Sequence, residues 1–378
     1  MSAAERASSA APHRILTLDG GGVRGALTIE ILARVEEIAR EQGAETLADY
    51  FDYIAGTSTG AILATGLALG WSVDKLRRFY ETRGEEMFDK ASLLERLHHR
   101  YEAEPLGKLL REEIGTEDDG GEVTLGSDRL RTLLMLVMRN ATTDSPWPVS
   151  NNPHALFNDA SRDDDNRRIP LWQLVRASTA APVYFPPECV RVGAKEFLFV
   201  DGGITCYNNP SFQTFLMATS EPYRLNWATG ERELLLVSVG TGTSPMANAG
   251  LAPGDMNLLY NASTVPSALM FAAANEQDFL CRTFGHCLWG DPIDREIGDM
   301  CPAHRSPSRG PTEHNLFSYV RYNAELTREG LGRLGIDDIE PERVQRLDAV
   351  EGIPALQRVG RAVAERHVRA EHFAGFAP

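Results

Sequence analysis

The chain has 378 residues, 43% of them hydrophobic, and a formal charge of -15 at pH 7. Its length permits two domains or one large α/β unit, and the pattern reads mainly as one. The acidic balance, with no basic run, excludes a nucleic-acid polymer as partner, because a phosphate backbone needs clustered Lys and Arg. An anionic bilayer repels such a chain on average, so lipid contact has to come from a local patch.

Residues 1–12, MSAAERASSAAP, are small and polar and lack the apolar centre of a signal peptide, which predicts a frayed, disordered tail. HRILTLDGGG reads as a strand running into glycines. ALTIEILARVEEIAR follows as an amphipathic helix with Leu27, Ile31, Val35 and Ile38 at helical spacing. FDYIAG and AILATGLALG repeat the pattern as a strand and a helix buried nearly all round. Two strand-turn-helix units in succession predict parallel strands covered by helices.

RTLLMLVM, EFLFV and ELLLVSVG are near-continuous apolar runs expected of central strands, giving a sheet of at least five. TEDDGGE and SRDDDNRR read as solvated loops. Past residue 242, TSPMANAGLAPGDM reads as a loop, PSALMFAAANEQDFLCRTF as a helix and CPAHRSPSRGPTEH as an irregular connection. IPALQRVGRAVAERHVRAEHF closes the chain as a helix with Leu356, Val359 and Val363 on one face. The expected organisation is a tail (1–12), a core (13–242) and a helical extension packed on it (243–378). The longest apolar run, Ile54 to Trp71, is broken by Thr57, Ser58 and Thr59 and is too polar to span a bilayer. The expected setting is cytoplasmic or peripheral to a membrane.

The five cysteines do not make a disulfide scaffold and fit a reducing compartment. Cys281, Cys287 and Cys301 lie near His286 and His304, which raises a zinc site. Their spacings do not match paired CxxC knuckles, so ordinary thiols are the better reading and no metal or cofactor is expected.

Three short stretches carry chemistry. GTSTG, residues 56–60, lies between a strand and a helix, where Gly56, Thr57, Thr59 and Gly60 would form a nucleophile elbow around Ser58. The helix end offers N–H groups and a positive dipole that favour alkoxide character on the serine. The plain alternative is a helix-capping serine.

DGGGVRG, residues 19–25, satisfies GxGxxG. A dinucleotide site also needs an acidic residue at the end of the next strand, whereas Glu36, Glu37 and Glu41 fall in the helical pattern. The competing reading is an oxyanion hole built from Gly20, Gly21, Gly22, Val23, Arg24 and Gly25. In FLFVDGGITCYNNP, Asp201 with Gly202 and Gly203 follows directly on a strand. At the carboxyl end of a parallel strand its carboxylate would face the crevice where α/β ligands bind.

Together these stretches resemble the patatin-like phospholipase family: DGGGVRG its glycine-rich oxyanion motif, GTSTG its nucleophile motif and DGG its aspartate motif, in the family's order. VRASTAAPVYFPP (175–187) and NNP (208–210) also resemble it, and the likeness covers roughly residues 13 to 242. The resemblance implies an α/β, three-layer patatin-like fold with a central, mostly parallel sheet flanked by helices. It implies a Ser58/Asp201 dyad that hydrolyses lipid acyl esters through an acyl-enzyme, with no metal or cofactor. The implied partners are a phospholipid, lysophospholipid or related glycerolipid and transient contact with a membrane or micelle surface.

Other readings stay open. A histidine triad would draw on His286, His304 or His314 in the chain order Ser, Asp, His. A non-lipid esterase, a phospholipase effector switched on by a small nucleotide in bacterial defence, and a binding or storage protein retaining the fold are the others. LWQLV and SALMFAAA are apolar enough to line an acyl pocket, although core packing is the simpler role for both.

Overall fold

The alternating apolar runs fold into one sheet. In the computed structural model, which describes residues 2–88, 105–182, 185–244, 258–292, 298 and 312–378, its centre is β1 (His13–Leu18), β2 (Tyr53–Thr57), β3 (Leu133–Asn140) and β7 (Leu234–Val239). These run parallel in the order β3-β2-β1-β7, and every residue of β1, β2 and β7 is buried. Side chains alternate between the two faces, as the two-residue period of a strand requires. Leu16, Leu18, Ile54, Leu134 and Val237 pack under helices Gly25–Glu41, Thr59–Ala68 and Ile353–His367. Ile15, Tyr53, Ala55, Met135 and Leu236 pack against Phe215, Met217 and Ala218 of helix Ser211–Thr219 and against Cys281, Phe317 and Tyr319. The result is a three-layer α/β unit.

Five further strands extend the sheet. β4 (Ser145–Ser150) runs antiparallel to β3, and β5 (Glu188–Val192) and β6 (Lys195–Asp201) form an antiparallel pair joined to β3 through β6. On the other side, β9 (Ser318–Tyr322) adds parallel to β7, and β8 (His286–Trp289) adds parallel to β9. The segment past residue 242, expected to be helical, therefore also completes the sheet. EFLFV, expected to be a central strand, is β6, antiparallel and only partly buried. The other additions give weaker signals, since SPWPVS carries two prolines, which strands tolerate mainly at edges, and HCLW is too short to declare a period.

The N-terminal tail differs from expectation. Residues Ala3–Ala7 form a helix started by a capping box between Ser2 and Glu5. Arg6 is 2% exposed and reaches Asp52 Oδ1 at 2.7 Å, Ala48 O at 2.5 Å and Arg131 O at 2.9 Å. With Asp49 O at 3.3 Å as a fourth acceptor, this buried guanidinium ties the tail to the body of the protein.

Of the two acidic loops, TEDDGGE is exposed, whereas in SRDDDNRR Asp165 is buried and accepts the Arg167 N–H at 3.0 Å. The helix expected over PSALMFAAANEQDFLCRTF is part of Leu258–Phe284, and the closing helix is Ile353–His367. Most of TSPMANAGLAPGDM and of CPAHRSPSRGPTEH lies outside the described residues. Among the described residues no helix is long and apolar enough to cross a membrane.

Candidate active site

β2 ends at Thr57 and the next helix begins at Thr59, which leaves Ser58 alone to turn the corner at φ 54° and ψ -122°. A serine in that region costs roughly 1–3 kcal/mol and has to be held. The turn is so close that a Cβ on Gly56 would stand 2.0 Å from Gly60 O, and one on Gly60 would stand 2.2 Å from Leu18 O. Ser178 supplies the restraint: its Oγ accepts the Ser58 N–H at 2.9 Å and donates to Val137 O at 2.6 Å. Thr57 Oγ1 donates to Tyr207 O at 2.7 Å, and the Thr59 hydroxyl is hydrogen-bonded to the Tyr80 hydroxyl. The Ser58 hydroxyl makes no capping bond to its helix; it donates to Asp201 Oδ2 at 2.6 Å. This removes the capping-serine reading.

Asp201 arrives from a direction the apolar pattern does not reveal. β6 is antiparallel to β3, and its last residue pairs with Met138, one position beyond the Val137 that faces Thr57. An antiparallel strand thus delivers the carboxylate to the same edge that a parallel strand end would reach. The Asp201 residue is 5% exposed and its Oδ1 accepts the Gly203 N–H at 2.6 Å. Burial pushes the carboxyl up to about 6, while the Ser58 hydroxyl, the Gly203 N–H and the charge of Arg176 pull it back. Arg176 is itself 1% exposed, lies 5.2 Å over the Phe185 ring and donates to Pro186 O at 3.0 Å.

The glycine-rich turn is more committed than its sequence implies. Gly20 N–H donates to Asn208 O at 3.0 Å, Val23 N–H to Leu347 O at 2.9 Å and Arg24 N–H to Gly21 O at 3.2 Å. The Gly25 N–H donates to Gly22 O. Of the six expected donors, the Gly21 and Gly22 N–H groups alone have no acceptor within the described residues, and both glycines border the cavity that holds Ser58 and Asp201. Arg24 is half-buried, its buried Nε has no partner among the described residues, and desolvation lowers it to about 10 against the pull of Asp19. Glu36, Glu37 and Glu41 sit on the helix Gly25–Glu41, where Glu36 accepts the Val73 N–H at 3.1 Å and pairs with Arg40. None of the three borders the cavity that holds Ser58.

The cavity above Ser58 has a volume of about 400 Å³ and apolar walls from Ile62, Met87, Phe88, Leu106, Phe185 and Met270. That size and lining suit a hydrocarbon chain with its polar end at the dyad. Met270 comes from SALMFAAA, whereas Leu171, Leu174 and Val175 of LWQLV are buried in the core. No histidine borders the cavity among the described residues; His286 Nδ1 lies 3.2 Å from the Glu231 carboxylate, His314 is exposed, and His304 lies outside the described residues. The thiol of Cys281 is buried and donates to Ser211 Oγ at 3.2 Å. Cys301 lies outside the described residues, within which no group of three His, Cys, Asp or Glu could hold a metal ion.

Ser178, Arg176 and Asn208 belong to the site but carry no catalytic signature of their own. They stand in the VRASTAAP and NNP stretches, and their roles appear only once Ser58, Asp201 and Gly20 are placed against them.

Comparison with known proteins gives the family. The family model for patatin-like phospholipases matches residues 16–214. A cGAMP-activated phospholipase from Vibrio cholerae is 36% identical over 216 residues, covering 53% of this chain and 56% of the relative. A cGAMP-activated phospholipase from Escherichia coli is 31% identical over 238 residues, covering 60% of this chain and 62% of the relative. The matches thus take in little more than half of either relative's length. Among solved structures, VipD from Legionella pneumophila aligns at 15% identity with a TM-score of 0.36, over 93% of this chain and 67% of that one. With GTSTG, DGG and DGGGVRG all inside the matched segment and gathered around one cavity, the chain belongs to the patatin-like phospholipase family.

Proposed function

We propose that this chain is a serine acyl hydrolase that cleaves ester bonds of phospholipids, lysophospholipids or related glycerolipids. The observation that carries the reading is the 2.6 Å hydrogen bond from Ser58 Oγ to a buried Asp201 carboxylate, at the foot of an apolar cavity.

Ser58 Oγ attacks the ester carbonyl while its proton passes to Asp201. The developing oxyanion is met by the Gly21 and Gly22 N–H groups, the two donors of the turn without an acceptor among the described residues. Collapse expels the alcohol, which takes the proton from Asp201 and leaves an acyl group on Ser58. Water, deprotonated by Asp201, then attacks the acyl-enzyme, releases the fatty acid and returns the proton to Ser58. A carboxylate is a weak base for a hydroxyl. Burial raises its proton affinity to about 6 and so brings the two groups closer in strength.

The test is release of fatty acid from mixed phospholipid vesicles by the wild-type chain and by Ser58→Ala. Release by the wild type alone supports the reading; equal release by both removes it.

The relatives named cGAMP-activated phospholipases support a second element, a small nucleotide that switches the enzyme on. Thermal unfolding and vesicle hydrolysis with and without cyclic nucleotides test it. An unmoved transition together with full activity in their absence counts against a switch.

A further inference from the structure

The glycine-rich turn is gripped on both sides by residues far beyond the matched segment. Before it, Asp19 accepts a fork from Arg321 of β9, Nη1 to Oδ1 at 2.9 Å and Nη2 to Oδ2 at 2.6 Å, with both side chains 6% exposed. Arg321 Nη1 also donates to Ser238 Oγ at 2.8 Å. Ser238 Oγ donates to Asn209 Oδ1 at 3.3 Å, and the neighbouring Asn208 carbonyl receives the Gly20 N–H. Thr241 Oγ1 donates to Gly20 O at 2.9 Å. Beyond the turn, Leu347 O accepts the Val23 N–H, and a Cβ on Gly22 would stand 2.3 Å from that same oxygen.

Between these anchors stand only Gly21 and Gly22. Glycine has no side chain to pack and a wide choice of backbone angles, so the direction in which its N–H points is set by what holds its neighbours. A fork-to-carboxylate pair fixes position and orientation together, which a single point charge does not.

We propose that Arg321 is a positioning residue for acyl transfer: by clamping Asp19, with the Leu347 carbonyl clamping Val23, it aims the Gly21 and Gly22 N–H groups at the oxyanion. This rests on the reading of those two groups as oxyanion donors. It also gives residues 318–348, outside the family match, a part in the chemistry.

Removing Arg321 alone leaves a buried carboxylate unpaired and endangers folding, whereas removing both charges together is often tolerated. The decisive variant is therefore the double Asp19→Asn/Arg321→Met, with Arg321→Lys beside it, each checked for a cooperative thermal transition well above the assay temperature. Hydrolysis of a soluble short-chain ester is followed for kcat and KM separately. For the double variant kcat falls about 100-fold with KM within about threefold, the size expected when an oxyanion donor is misplaced. For Arg321→Lys kcat falls about tenfold, since the charge stays and the fork is lost.

A purely structural pair would shift the thermal transition and leave the kcat of the folded enzyme unchanged. A folded double variant with kcat within threefold of wild type overturns the proposal. If the double variant does not fold, an unchanged kcat in Arg321→Lys overturns it. A wild-type chain that hydrolyses no ester removes the underlying reading instead, so the two failures are distinguishable.

Discussion

The two turns of the site lie on neighbouring strands, with Leu18 beside Gly56 in the sheet, and they are built in different ways. The Ser58 turn is strained and held at close quarters: its glycines touch backbone across the corner, and Ser178 receives its N–H. The glycine-rich turn holds Gly21 and Gly22, whose N–H groups have no acceptor among the described residues, between anchors drawn from distant chain, the Asp19–Arg321 pair spanning 302 positions. A nucleophile needs one atom fixed in an unusual conformation, so local contacts suffice. An oxyanion site needs backbone dipoles held at an angle, and glycines cannot do that for themselves.

Substitutions in the two turns should therefore fail differently. The largest effect belongs to Ser58→Ala, which removes the nucleophile and should lower ester hydrolysis by roughly 10⁴-fold or more with no loss of fold. Asp201→Asn should lose hydrolysis on a similar scale while gaining stability. The folded carboxyl lies near 6 against an ordinary 3.8, so the fold prefers the protonated form. That contribution is complete below about pH 3.8 and is lost as pH rises through about 6. At pH 7 the ionised carboxylate therefore costs roughly 3 kcal/mol, which a neutral amide avoids. Thermal unfolding should place Asp201→Asn above the wild type at pH 7 and level with it at pH 3.5. A lower transition at pH 7 would contradict the burial argument.

Next in size are the Arg321 variants, whose effect should appear in kcat. Ser178→Ala sharpens the comparison from the other side. It strips the acceptor from Ser58 N–H and the donor from Val137 O, costing about 1–3 kcal/mol of stability. Activity should fall about tenfold as the strained corner relaxes, a loss read from kcat and the thermal transition together. The smallest perturbation is pH itself: kcat/KM should rise through about pH 6 as Asp201 ionises and then level off, and a limb near 7 that vanishes on replacing one histidine would restore a triad.

The motif stretches that the structure gathers around one cavity were legible in the sequence, because a tight turn leaves a mark in composition. A corner that admits no Cβ demands glycine, so GTSTG and DGG declare themselves. The central strands were legible for a related reason: burial on both faces demands unbroken apolar runs such as ILTL and LLLVSV. What escaped notice was set by partners distant in sequence. The antiparallel course of β6, the pairing of SYVRY with β7 and the role of Ser178 each depend on residues that no local period reveals. That only two of the six expected donors lack an acceptor among the described residues was hidden for the same reason, since the acceptors that occupy the others include Asn208 and Leu347. The N-terminal helix was a missed local signal, for Ser2 and Glu5 already spell a capping box.

The most direct measurement of the central claim is exposure of the folded wild-type chain, Ser58→Ala and Asp201→Asn to a fluorophosphonate probe, followed by intact mass and peptide mapping. A single adduct on Ser58 in the wild type, none in Ser58→Ala and strongly slowed labelling in Asp201→Asn is the predicted result. Labelling of another residue, or wild-type labelling speed in Asp201→Asn, would contradict a serine activated by that carboxylate.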